Sequence, residues 1–442
     1  MHRCLARAAA SAAIAAALLA SAAAAPPTVD GAFKSFWEAK NPDAAAKAAQ
    51  GVAASGVAFD EALARLERGR HYAKHVKRGI VRLQRRSILG EFFYDLNVPD
   101  DYDPSRKYQV RVQLHGGILM RETSQARGNG GVGALAGAEQ IYVLPAGWRD
   151  APWWSRAQLE NVDAILDGLK RTYNVDENRV AMAGVSDGAT GLYYFAMRDT
   201  TPFASFLPLN GFLMVLANER VGVDTDLFPT NLLDKPFFVV NGGQDPMYPI
   251  RFVEPYVGHL RGSGVTLDYH PRPEAAHNTA WWPDLKEVFE TFVREHPRDP
   301  YPQKLTWEAS DRDLPSRAHW IVIDRLKPAA STEPRLEPDL NVFSGAGPNH
   351  GKDLFGRSRP SGRVDAVRRG NEIALTTRGV SELTVLLSPH VVDFAQPIRV
   401  SANGHVVSDA RLQRSVATLL KWAARDNDRT MLFGAELRVK IE

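Results

Sequence analysis

The sequence predicts an α/β fold, a mostly parallel sheet covered by helices on both faces, followed by a smaller antiparallel β domain. Three observations carry that prediction. Between residues 85 and 297, short apolar runs alternate with segments of helical period, the pattern of strands joined through crossover helices. Within that region Val180-Ala-Met-Ala183 runs into Gly184-Val-Ser186-Asp187-Gly188 and then into a helix starting near Ala189, a strand–turn–helix unit whose tight turn leaves a serine hydroxyl exposed. Beyond the proline-dense His296-Pro-Arg-Asp-Pro-Tyr-Pro302, the helical period fades and short strands follow one another.

A chain of 442 residues exceeds one ordinary core, so more than one domain is expected. Residues 1–25 read as an export signal: His2, Arg3 and Arg7 precede an Ala/Leu run from Ala8 to Ala20, and Ser21–Ala25 offers A-x-A cleavage. The apolar part is too short to span a membrane, and no later stretch approaches the required length. The expected location is therefore the periplasm or the exterior. The single cysteine, Cys4, lies in the signal, so the mature chain is expected to have no disulfide and no thiolate ligand. Loss of Arg3 and Arg7 leaves 52 Lys+Arg against 51 Asp+Glu, a net charge near +1 that argues against nucleic acid as a partner. Oligomeric state is not legible.

Taken in order, residues 26–84 read as an Ala-rich helical extension. Phe59, Leu63 and Leu66 line one face of a helix that Gly69 closes. Lys74, Lys77, Arg78, Arg82, Arg85 and Arg86 read as a solvated basic face, because no aromatic side chains are interleaved with them. Residues 85–297 form the α/β unit. Strands are expected at Phe92–Val98, Val110–Leu114, Ile141–Leu144, Val180–Ala183, Phe206–Leu209, Phe237–Val240 and Val265–Tyr269. The helix opened by Ser155 carries Gln158 as a capping-box partner and buries Leu159, Val162, Leu166, Leu169 and Tyr173. Residues 298–442 read as a sandwich-like β domain with a hairpin at Asn403-Gly404 and one helix near Ser415–Ala424. The Pro/Gly-rich stretch Lys327–Pro360 is its long irregular insertion.

A nucleophilic serine needs a base, an acid that orients the base, and backbone donors for an oxyanion. Asp245 follows the Phe237 strand and His277 follows the last strand, so serine, acid and base arrive in the chain order that such a sheet imposes. The rival acid, Asp268, lies within a strand and not at its carboxyl end. His115-Gly116-Gly117 after a strand supplies the oxyanion loop, with the Gly117 and Asp187 amides as the expected donors and Gly116 or Ile118 as alternatives to the former. His115 itself reads as a residue that holds the loop. Trp148, Trp153, Trp154, Trp281 and Trp282 fall in loops at the same edge; Trp153, Trp154, Tyr248 and Trp281 are taken as the substrate-lining candidates. Gly128-Asn-Gly130-Gly-Val-Gly133 fits a dinucleotide fingerprint, but no strand precedes it, so a flap is the better reading and no cofactor is expected. The 12 histidines show no metal-ligand spacing, so no metal is expected.

Leu114-His-Gly-Gly117, Asn174-Val-Asp-Glu-Asn-Arg179 leading into Gly184-Val-Ser-Asp-Gly188, Asp245, and His277-Asn-Thr-Ala-Trp-Trp282 together resemble the α/β-hydrolase superfamily over residues 85–297. Within it they are similar to secreted polyhydroxyalkanoate depolymerases and feruloyl esterases, and to prolyl oligopeptidase-type catalytic domains. The resemblance implies hydrolysis of a small-molecule or polymeric carboxylic ester through a Ser186–His277–Asp245 triad. A serine peptidase is the alternative, and a polymer- or glycan-binding protein on a hydrolase scaffold is the third reading. The chain departs from prolyl oligopeptidases in having no β-propeller-sized segment before the α/β unit, and from typical secreted depolymerases in lacking cysteines in its mature part.

Overall fold

The computed structural model describes residues 27–125, 132–218, 220–223, 227–328, 340, 354–355 and 359–442. The expected export signal with Cys4, most of the Gly128–Gly133 segment and most of the Lys327–Pro360 insertion lie outside the described residues.

Three helices open the chain: α1 (Val29–Glu38), α2 (Pro42–Ala54) and α3 (Phe59–Arg68). Thr28 and Asn41 cap the first two through side-chain oxygens, and Gly69 ends the third at φ 74°. The main sheet then runs β1 (Gly79–Ser87), β2 (Gly90–Val98), β3 (Tyr108–Leu114), β4 (Ile141–Pro145), β5 (Val175–Val185), β6 (Ser205–Leu209), β7 (Phe237–Gly242) and β8 (Leu267–Arg272). Its spatial order is β1-β2-β4-β3-β5-β6-β7-β8, parallel from β4 onward, with β1 and β2 joined to it by antiparallel pairing. Helices α4 (Arg156–Thr172), α5 (Asp187–Arg198), α6 (Ile250–Gly262) and α7 (Trp282–Glu295) cover the two faces. The buried runs of β5, β6 and β7 are apolar on both sides, as a doubly covered sheet requires.

Two local readings change. Strand β1 arises inside the basic run, so the sheet starts at Gly79, ahead of the expected position 85. The reason is period two: Val81 and Leu83 turn toward the core while Arg82, Gln84 and Arg86 point to water. The capping box is only half formed. Ser155 Oγ accepts the Gln158 N–H, but the Gln158 side chain is drawn inward to donate to the Ala146 and Ala151 carbonyls.

The C-terminal part holds β9 (Lys304–Ala309), β10 (Ser316–Ala318), β11 (Ile321–Leu326), β12 (Gly362–Arg369), β13 (Glu372–Arg378), β14 (Val380–Leu387), β15 (Ile398–Ala402), β16 (His405–Ala410), helix α8 (Val416–Asp426) and β17 (Ala435–Lys440). They form sheets β10-β11-β14-β17 and β16-β15-β13-β12-β9 around a shared core that includes Trp307, Trp320, Ile323, Leu375 and Phe433. The pairing is antiparallel except between β13 and β15. Asn403 (φ 50°) and Gly404 (φ 85°) turn the β15–β16 hairpin. Helices α1–α3 bury Phe33, Phe36, Val52 and Leu66 against Leu419, Leu420 and Ala423 of α8, so the first and last helices share one core. Arg429, just after α8, ties that end of the chain to β5, reaching Glu177 at 2.6 Å and the Asn174 side chain at 2.9 Å.

Candidate active site

Strand β5 and helix α5 meet at Ser186, which sits at φ 56°, ψ −119°. This is a sparsely populated region for a residue with a side chain, of order 1–3 kcal/mol above relaxed backbone. The surroundings impose it. Ser186 N–H donates to the Leu209 carbonyl at 3.0 Å, and the flanking glycines admit no alternative packing. A Cβ on Gly184 would lie 2.3 Å from the Gly188 carbonyl oxygen, and one on Gly188 would lie 2.2 Å from the Leu114 carbonyl oxygen.

Ser186 Oγ lies 2.9 Å from His277 Nε2, and His277 Nδ1 lies 2.7 Å from Asp245 Oδ2. A carboxylate can only accept, so Nδ1 carries the proton and Nε2 is left to accept from the serine hydroxyl. Asp245, 1% exposed, also accepts the Met247 and Tyr248 amides on Oδ1 at 2.8 and 3.0 Å, which fixes its plane. Its loop and the His277 loop are packed backbone to backbone: a Cβ on Gly242 would meet the Ala275 carbonyl oxygen at 2.4 Å. Asp268, the rival acid, is within β8 and lies 2.8 Å from His270 Nε2.

Beside the serine, Gly116 approaches so closely that a Cβ there would be 2.9 Å from Ser186 Cβ. Gly117 is exposed and left-handed at φ 67°. The Ile118 amide is already engaged, donating to Asp187 Oδ2 at 2.9 Å. His115 holds this loop in several directions: Nδ1 donates to the Gly116 carbonyl, Nε2 accepts the Gly147 N–H at 3.1 Å, and its carbonyl accepts the Trp153 indole N–H at 2.9 Å. Burial lowers its imidazole from the ordinary 6.5 to about 4, so the ring is neutral.

Of the aromatic candidates, only Tyr248 remains at the opening. Its ring centre lies 5.6 Å from that of His277, and burial, followed by the Asp187 and Asp245 charges, pushes its phenol up to about 12. Trp153, Trp154 and Trp281 are buried, and this corrects their placement as substrate-lining residues. Trp153 is 0% exposed and packs against Gly147 and Gly191, where any Cβ would strike its side chain. Trp281 joins the core beneath α7 with Phe238 and Phe289. A loop tryptophan supplies a large apolar area, and here burial claims it.

Two residues at the site were not anticipated. Phe212 lies 6.2 Å from Tyr248, ring to ring. Asn210, at φ 49° after β6, donates to the Asn278 carbonyl at 2.7 Å and so ties down the residue that follows His277. An asparagine before glycine at a strand end was the one available signal.

Among the described residues no cluster of metal-ligating side chains occurs. No protein-family model and no curated protein sequence matches the chain. Among solved structures it is similar to a thermostable esterase (21% identity, TM-score 0.40, 50% of this chain and 63% of that one). It is also similar to an S-formylglutathione hydrolase from Staphylococcus aureus (16%, TM-score 0.40, 49% and 100%) and to dipeptidyl peptidase 4 from Porphyromonas gingivalis (15%, TM-score 0.38, 49% and 35%). The strand order, with the serine on a sharp turn between β5 and α5, makes residues 79–295 an α/β-hydrolase fold followed by a β sandwich.

Proposed function

We propose that the chain is a serine hydrolase that cleaves carboxylic esters through an acyl-enzyme, with Ser186 as nucleophile, His277 as general base and acid, and Asp245 orienting the imidazole. The observation that carries this reading is the unbroken hydrogen-bonded line from Asp245 through His277 to Ser186, at 2.7 and 2.9 Å. His277 Nε2 takes the serine proton as Oγ attacks the ester carbonyl. The tetrahedral oxyanion is met by the Gly117 and Asp187 amides; the Ile118 amide is excluded because the Asp187 carboxylate occupies it. Collapse passes the proton from His277 to the departing alcohol, and water then repeats the cycle to release the acid.

Leu119, Met120 and Met247, two or three residues beyond Gly117 and Asp245 in the chain, are large apolar side chains left exposed. They favour an apolar group on the substrate. In this reading the protein is exported and acts in the periplasm or outside the cell.

The test is hydrolysis of short p-nitrophenyl esters by the purified mature protein. Ser186→Ala lowers kcat on the order of a millionfold while leaving the circular dichroism spectrum unchanged. Unchanged turnover removes Ser186 from the mechanism. Faster cleavage of proline-containing peptides than of esters by the unmodified protein assigns the same triad to a peptidase.

A further inference from the structure

A cavity of about 680 Å³ lies where several parts of the chain meet: the turn between α1 and α2, Arg85 of β1, one side of α4, the residues after α5, Arg317 of β10, and the end of α8 with the residues that follow it. It is remote from the serine. Ser186 precedes the first residue of α5 and Asp199, on the cavity wall, follows the last; the 12-residue helix separates them by about 18 Å.

The cavity wall carries six cations and six carboxylates, and two of the carboxylates, Glu160 and Asp167, are engaged by Arg156 and Arg171, which lie outside the lining. Arg317 is matched by Asp426 and Arg298 by Asp428, each at 2.7 Å. The Asp163 and Asp199 carboxyls interact on the same wall, and desolvation raises both above the usual carboxylate range. Four further cations line the same space: Lys40, Arg85, Lys170 and Arg425. Among the described residues none of the four has a carboxylate at ion-pair distance. Lys170 Nζ is held by the Asp426 carbonyl at 2.6 Å, and Arg425 lies over the Trp422 ring at 5.1 Å, so both are fixed in direction. Burial and then repulsion from Arg317 lower the Arg425 guanidinium from its ordinary value. A negative partner placed there would relieve both costs.

We propose that this cavity binds a small organic polyanion carrying two or more carboxylate or phosphate groups between Lys40, Arg85, Lys170 and Arg425. The volume is that of a small-molecule site. The four cations come from four separate elements, so a single inorganic anion reaches only part of the set, whereas a ligand with several anionic groups spans it. The planar fork of Arg425 suits a carboxylate or phosphate taken in two-point contact.

The test is calorimetric titration of the full mature protein with citrate, and separately with inorganic phosphate at matched ionic strength. Citrate binds at one site per chain and more tightly than phosphate. Arg425→Gln weakens it at least tenfold, Arg425→Lys by less, and Lys40→Gln, on an exposed turn where folding is not at stake, at least threefold. Ser186→Ala binds citrate as the unmodified protein does, which separates this site from the serine. Absence of citrate binding at millimolar concentration, equal affinity for phosphate, indifference to Arg425→Gln and Lys40→Gln, or loss of binding in Ser186→Ala each overturns the proposal.

Discussion

Asp187→Ala isolates the role of one carboxylate that never touches the serine. Its Oδ2 accepts the Ile118 amide at 2.9 Å, and Ile118 is fully buried, so the truncation leaves a buried N–H without a partner. Such a loss costs about 1–3 kcal/mol. The same bond anchors the loop carrying Gly117, the proposed oxyanion donor. At about 1.4 kcal/mol per decade of rate, the full cost falling on the transition state lowers kcat roughly 5- to 150-fold. KM changes little, because the ground-state carbonyl is not yet held by that donor. Asp187→Asn keeps an amide oxygen in the same place and retains kcat within about threefold, on the argument that acceptance, not charge, is what the loop needs. The assay is steady-state hydrolysis of a short p-nitrophenyl ester alongside urea denaturation of each variant. An Asp187→Ala protein with the original kcat refutes the reasoning, and an Asp187→Asn protein as impaired as Asp187→Ala refutes the assignment to acceptance.

Gly188→Ala forces a Cβ to within 2.2 Å of the Leu114 carbonyl oxygen, a backbone atom with no freedom to swing away; stability falls by about 1–3 kcal/mol in urea, and an unshifted midpoint contradicts this. His115 links stability to pH. Its folded value of about 4 lies below the ordinary 6.5, so the unfolded chain binds the extra proton between these values. The stabilisation is complete above pH 6.5 and is lost as pH falls toward 4, on the order of 3 kcal/mol in all. His115→Asn therefore shows a smaller fall in urea midpoint between pH 7 and pH 4.5 than the unmodified protein; parallel profiles exclude His115 as the linked group.

The alternation of apolar strands and helices in residues 85–297, the glycine-framed serine, and the order Ser186, Asp245, His277 are properties of local pattern and chain sequence. They were legible because a parallel sheet leaves few places where loops at one edge can converge. Strand β1 was less legible, since its period-two signal is carried by Val81 and Leu83 inside a run of arginines. The tryptophans show the opposite limit. Loop position and size make Trp153 and Trp281 look like pocket walls, and only the packing of Trp153 onto Gly147 and Gly191, and of Trp281 under α7, decides that they are core.

What the sequence determined by itself was the fold of the α/β unit and the identity of three residues able to form a relay, because period, turn chemistry and order along the chain are one-dimensional. Tertiary structure alone decided the rest. It closed the relay to 2.7 and 2.9 Å, assigned the Asp187 carboxylate to the Ile118 amide, clamped Asn278 through Asn210, and packed α1–α3 onto α8 to enclose a charged cavity. Each of these joins residues from distant segments, and the choice among equally suitable polar partners is made by the geometry of the packed core, to which no single segment gives access.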